Sequence, residues 1–295
     1  MPGNTAQFAG CDSRRFRARL RPMLNIKMPT AFAAICAGLF FAGSVLSSSS
    51  ALAASGLMPH RAVYAMELIG SADGSDIASV KGRLVLEWQG SACEGFVTSQ
   101  RIVNRMGSKQ GNDFVSDFRV NSWESATGDA FTFSMVHYIN GNVAEEIAGE
   151  AERGSVAFSK PEPASIALPG GALFPTEHIK QMLDAAQAGK KIMSADLFDG
   201  SDTEHYFKTT TFIGSGGTGA PADDEAEPGA SLEGVRYWPL QISYFDPADI
   251  SGLPDFEISS RFYENGVSTG LVMDYGDLAI GARLISLEAL PVPDC

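Results

Sequence analysis

The sequence predicts a mainly β fold, an antiparallel sheet with one α-helix in the middle of the strand order. Three observations carry that expectation. From His60 onward, apolar and polar residues alternate with a period near two, which sends successive side chains to opposite faces of a strand. Gly, Asp, Asn and Ser punctuate these runs, and the linkers are too short for the crossover helices that parallel strands need. A single segment after Phe174 has apolar residues at helical spacing instead.

In chain order, strands are expected at Arg61–Ile69, Lys81–Trp88, Gly95–Val103, Asp113–Trp123, Ala130–Ile139, Val143–Ala151 and Ser155–Ser159. Alternation in the fifth places Phe131, Phe133 and His137 on one face, where a hydrogen-bonded core histidine is expected, and Thr132 and Ser134 on the other. Asn140-Gly141 marks a tight hairpin between the fifth and sixth. The helix follows: Pro175 suits its first turn, Glu177 favours the positive end of the dipole, and Ile179, Met182, Leu183 and Ala186 form the apolar stripe. Gly189 can take the left-handed stop. Further strands are expected at Lys191–Leu197, Tyr206–Ile213, Tyr237–Phe245, Phe256–Tyr263, Gly270–Tyr275 and Ala279–Leu290. Between Gly214 and Leu232, a Gly-, Pro- and acid-rich stretch without a long apolar side chain in its middle reads as a solvated loop.

The amino-terminal region follows different rules. Arg14, Arg15, Arg17, Arg19, Arg21 and Lys27 precede the apolar run Ala31–Leu46, and Ala51-Leu52-Ala53 supplies small residues for cleavage. That is the order of a secretory signal peptide over residues 1–53, leaving one domain over 54–295. The whole chain has 22 Lys+Arg against 35 Asp+Glu, net −13. Removing six basic residues and one acidic residue with the signal leaves 16 against 34, net −18. This charge argues against nucleic acid and against docking on anionic lipid through a basic face. Cys11 and Cys36 leave with the signal, while Cys93 and Cys295 remain, and an oxidising compartment pairs such thiols.

Few residues suggest chemistry. Gly214-x-Gly216-x-x-Gly219 has the glycine spacing of a dinucleotide loop, but an acidic stretch follows where a helix N-terminus is needed. Asp196, Asp199, Asp202 and Glu204 around Gly200 miss the alternate-ligand spacing of a calcium loop. No metal, cofactor or catalytic set is therefore assigned. Glu177, His178, Asp199 and Asp202 form the candidate functional or structural cluster, with helix capping or a buried hydrogen-bond network as the bland alternative. Trp88, Trp123 and Trp238 are candidates for plain core or for the lining of an apolar cavity.

Two blocks then carry a resemblance: Leu168-Pro169-Gly170-Gly171-Ala172-Leu173-Phe174-Pro175-Thr176-Glu177-His178 and Leu197-Phe198-Asp199-Gly200-Ser201-Asp202. With His60-Arg61-Ala62-Val63-Tyr64, Phe262-Tyr263-Glu264-Asn265-Gly266-Val267-Ser268 and the final cysteine, the chain resembles the EipB-like cell-envelope integrity proteins. The resemblance implies a periplasmic protein with a strongly curved antiparallel sheet, a β-spiral or broken barrel, and a Cys93–Cys295 disulfide. It also implies a role in envelope integrity and stress resistance without an assigned enzymatic activity. The expected function is binding of an envelope component or a periplasmic protein, such as a helical-repeat protein. The alternatives are a carrier of a lipid-like ligand, enclosed by a curved sheet with an inward aromatic face, and a hydrolase of an envelope polymer using Glu177 or Asp199 near His178.

Overall fold

In the computed structural model, which describes residues 56–292, alternation builds fifteen strands and one helix among the described residues. The expected signal peptide and Cys295 lie outside the described residues. The first half runs β1 (His60–Ser71), β2 (Ile77–Ser91), β3 (Gly95–Ser108), β4 (Asp113–Glu124), β5 (Ala130–Ile139), β6 (Asn142–Glu152), β7 (Ser155–Lys160) and β8 (Ala164–Ala167). Helix α1 (Pro175–Gln187) follows. The second half is β9 (Ile192–Leu197), β10 (Phe207–Ile213), β11 (Gly217–Thr218), β12 (Arg236–Phe245), β13 (Phe256–Tyr263), β14 (Ser268–Asp274) and β15 (Leu278–Ala289). The short β8 and β11 escaped sequence analysis, because four and two residues show no period.

Each half is a meander of adjacent antiparallel strands, and the halves join where β1 pairs with β15, from His60↔Ala289 to Ser71↔Leu278. The first and last strands thus lie in the middle of one large, strongly curved sheet, and its two edges are β8 and β9. The sheet does not close into a barrel. Residues 168–174 cross the gap instead. Leu168 N–H donates to Gly154 O (2.9 Å), Leu173 N–H to Asp196 O (2.8 Å), and Phe198 N–H to Leu173 O (3.0 Å). Leu173 therefore pairs in parallel with the end of β9 before Pro175 starts the helix.

The inward faces bury Tyr64, Leu84, Trp88 and Phe96, and α1 adds Ile179 and Met182 to the same core. Phe131 and Phe133 are buried as expected. His137 lies across from Phe118 and is half-buried, with its Nε2 2.9 Å from Ser116 Oγ. Of the three tryptophans, Trp88 and Trp238 are core, whereas Trp123 stands on the outer face, 38% exposed, with Nε1 donating to Glu94 O at 3.0 Å. Asn140 (φ 51°) and Gly141 (φ 81°) make the predicted hairpin, in which both central residues have positive φ.

The acidic stretch corrects the sequence reading. It carries β11 and a single 3-10 turn at Ala230–Leu232, with Leu232 fully buried. Its anchor is polar. β14 and β15 pair only from Leu271↔Ala282 to Asp274↔Ala279 and then splay apart. The buried Glu225 carboxylate fills the wedge, accepting from Gly270 N–H (3.0 Å) and Leu284 N–H (2.7 Å). Arg261 and Arg283 donate to the carbonyls of Ala220 and Asp224, fastening the strap from outside. A buried carboxylate of the same type as its solvated neighbours leaves no mark in the sequence, as a long apolar anchor would.

Glu225→Ala removes the acceptor of two inward backbone N–H groups, and a stability loss of about 3 kcal/mol is expected in urea unfolding. Asp224→Asn, which touches only an exposed pair with Arg283, is expected to change stability by about 0.5 kcal/mol or less. Equal losses in the two variants would refute the anchor.

Candidate functional site

The two blocks that carry the resemblance meet in space. The Leu173–Leu197 bridge places Phe174 and Phe198 side by side at the mouth of the sheet, against Phe131 and Phe133 of β5. Phe174 stacks on Phe131 with ring centroids 5.2 Å apart, and Phe198 meets Phe133 edge-on at 5.3 Å. Gly200 closes over this cluster. Its φ is +81°, and a Cβ there would lie 2.6 Å from the Phe133 ring. Backbone conformation and space both require glycine.

The four residues of the predicted cluster have separate duties. His178 is fully buried on the inner face of α1, with Nε2 3.1 Å from Thr209 Oγ1. The Thr209 hydroxyl donates its only proton to Ala195 O (3.1 Å), so His178 Nε2 carries the proton and donates to Thr209. Burial pushes the imidazole down to about 4, keeping it neutral. Glu177, one residue earlier, points to the outer side, where it accepts from Gln181 (3.2 Å) and lies 4.0 Å from Lys180. Asp199 is buried in the turn after β9; Oδ1 accepts from Ser201 N–H (3.0 Å), and burial pushes the carboxyl up to about 6. Asp202 accepts from the N–H groups of Glu204 (2.6 Å) and His205 (3.2 Å) and pairs with the His205 ring at 3.3 Å. Asp199 and Asp202 thus share a turn, while Glu177 and His178 point away from each other.

The residue that organises this joint is Glu124, which the sequence reading passed over. The helix has Phe174 at its N-cap, without a side-chain acceptor for the first turn. Glu124, the last residue of β4, supplies one. Its Oε2 accepts from Thr176 N–H (2.6 Å) and its Oε1 from Glu177 N–H (2.9 Å). Burial pushes its carboxyl up to about 7, against the opposing pull of these two N–H groups and of Lys180. Lys180 itself lies 4.4 Å above the Phe96 ring. A signal was present: Phe118, Val120 and Ser122 are the inward positions of β4, and Glu124 continues their alternation.

Elsewhere, the amides of Gln100 and Asn104 are buried on the inward side of β3, without hydrogen-bond partners among the described residues. An open groove of about 290 Å³ beside Glu225 is lined by Ala65, Glu67, Ile69, Val272 and Arg283, among others. Cys93 lies in the β2–β3 turn, and the expected partner Cys295 lies outside the described residues. Among the described residues, no three His, Cys, Asp or Glu side chains are grouped to hold a metal ion, and no helix is long and apolar enough to cross a membrane.

Comparison with known proteins agrees with this architecture. The EipB-like family profile matches residues 51–291. The cell envelope integrity protein EipB of Brucella abortus (strain 2308) is 33% identical over 264 residues, covering 88% of this chain and 93% of that one. The crystal structure of a β-barrel-like protein of a domain of unknown function, also from Brucella abortus, superposes with a TM-score of 0.76 at 32% identity. It covers 80% of this chain and 99% of its own.

The buried acids and histidines give opposite pH dependences. Glu124, raised from 4.5 to about 7, contributes stability below pH 4.5 that is lost as pH rises through 7, and Asp199 acts in the same sense from 3.8 to about 6. His60 and His178, lowered from 6.5 to about 4, contribute stability above pH 6.5 that is lost as pH falls through 4. Glu124→Gln removes one falling contribution. Its stability relative to the parent is expected to climb between pH 4.5 and 7, by about 3 kcal/mol at most, in urea unfolding at several pH values. A pH-independent difference would refute the assignment.

Proposed function

Because the chain belongs to the EipB-like family, we propose that it supports cell-envelope integrity and stress resistance from the periplasm as a non-catalytic scaffold, binding an envelope component or a partner protein on its curved sheet. The observation that carries this reading is how the two familiar blocks are used. Their hydrogen-bonding groups and rings hold α1 and the end of β9 to the body of the sheet. His178 is neutral, buried and bonded to Thr209, and Glu177 faces away from it, which weighs against a hydrolase centred on that pair. A lipid-like ligand is disfavoured by the side chains that occupy the concave side and by the amides of Gln100 and Asn104 on the inward face of β3.

The Cys93–Cys295 bridge belongs to the same proposal. His60 pairs with both Ala289 and Trp88, so the chain leaves β15 two strands from the turn that holds Cys93. The bridge would close nearly the whole domain into one loop, an upper contribution of about 5 kcal/mol in the chain-entropy account.

Protein recovered from the periplasm is expected to change gel mobility on reduction after alkylation, and Cys93→Ser to abolish the change. Identical mobilities would remove the bridge. In a strain lacking the protein, the exported chain is expected to restore resistance to envelope stress, and Glu177→Gln to restore it equally. Loss of protection by folded Glu177→Gln would turn the reading toward a hydrolase. Failure of the parent chain to protect would remove the envelope role itself.

A further inference from the structure

The edge of the sheet at β9 differs from the rest of the surface. Backbone groups in a strand alternate between its two sides, and the direction in β9 is fixed at one end, where Asp196 O and Phe198 N–H turn outward to Leu173. At the other end, Lys191 O turns inward to accept from Ile213 N–H. By the same alternation, the N–H and C=O groups of Ile192 and Ser194 face outward. Among the described residues no strand pairs with them, because β9 ends the sheet and the chain at Leu173 leaves for α1. Beside this open edge, Ile192 is 56% exposed and lies directly across from Phe212, which is 48% exposed.

Charge singles out the same place. Lys190 and Lys191 lead into the edge and Lys208 stands exposed on β10, three cations in a chain of net charge −13. None of the three is ion-paired among the described residues. Lysines on an edge strand discourage pairing with a neutral or basic strand, and an acidic strand turns that repulsion into attraction. The opposite edge, β8, lacks these features: Ala164, Ser165 and Ala167 are small, and Glu162 precedes them.

We propose that the open edge of β9 receives an extended segment of a partner protein, which adds as a further strand beside Ile192 and Ser194, rests an apolar side chain on Ile192 and Phe212, and sets carboxylates against Lys190 and Lys191. Leu173 already occupies the far end of this edge in the same manner. The inference rests on the scaffold reading and names the class of partner and the surface that holds it.

The test uses a fluorescein-labelled peptide of about ten residues alternating valine with glutamate, a length that spans one strand. Saturable binding to the whole exported domain is expected, weakening several-fold as salt rises from about 0.05 to 0.3 M. Ser194→Pro removes the outward N–H, which an edge strand tolerates, together with the exposed hydroxyl contact to Thr210 (3.3 Å), and is expected to weaken binding about tenfold with thermal unfolding nearly unchanged. Should that variant unfold, the doubly charge-reversed Lys190→Glu/Lys191→Glu chain is expected to lose the glutamate peptide and to prefer its lysine counterpart. Absence of binding, equal binding by these variants, or amide protection away from residues 190–196 overturns the proposal. Concentration-dependent dimers that Ser194→Pro dissociates would also overturn it, in favour of a second copy. Retained envelope protection by a Ser194→Pro chain that no longer binds the peptide would remove the edge from the function and leave the scaffold reading standing. Lack of protection by the parent chain would remove that reading, whatever the peptide does.

Discussion

The pairing of β1 with β15 is the constraint on which the rest of the molecule depends. On either side of it, each strand pairs with a near neighbour in sequence, so both meanders cost little chain entropy to assemble. The seam joins residues more than two hundred positions apart and turns two meanders into one curved sheet. The concave core, the position of α1 and the approach of the two edges all follow from that union. Cys93 lies beside the seam, so a bridge to the end of the chain would reinforce the contact that is entropically dearest.

Two buried carboxylates repair places where regular structure runs out. At the start of α1 there is no capping side chain, and Glu124 supplies the acceptor from a strand that ends some fifty residues earlier. Where β14 and β15 diverge there is no backbone carbonyl between them, and Glu225 supplies one from the strap. In each case both oxygens receive backbone N–H groups, satisfying two donors that would otherwise be stranded out of water. These acids are structural parts that resemble functional ones by burial alone.

Much of this fold was legible in the sequence because alternation is a local property. The run Ala130–Ile139 shows its buried and exposed faces directly, and Pro175 with the stripe Ile179, Met182 and Leu183 marks the helix. The familiar blocks were also visible, but not that they meet, since the Leu173–Leu197 bridge depends on the whole curvature of the sheet. Glu225 was hidden for a different reason. Among Asp223, Asp224 and Glu227, its type and spacing are those of a solvated acid, and only the divergence of two distant strands distinguishes it. Trp123 obeys the alternation of β4, but its large apolar side chain falls on the outward parity, so residue type suggested core where position did not.

The central position of the first strand also sets an order of events during folding. The hairpins from β1 to β8 join strands adjacent in sequence and can close locally. The side of β1 that β15 will occupy stays open until the last strand is in place. Throughout that interval the folding protein carries a twelve-residue strand with one unsatisfied side, longer than the four-residue and six-residue strands that edge the finished sheet.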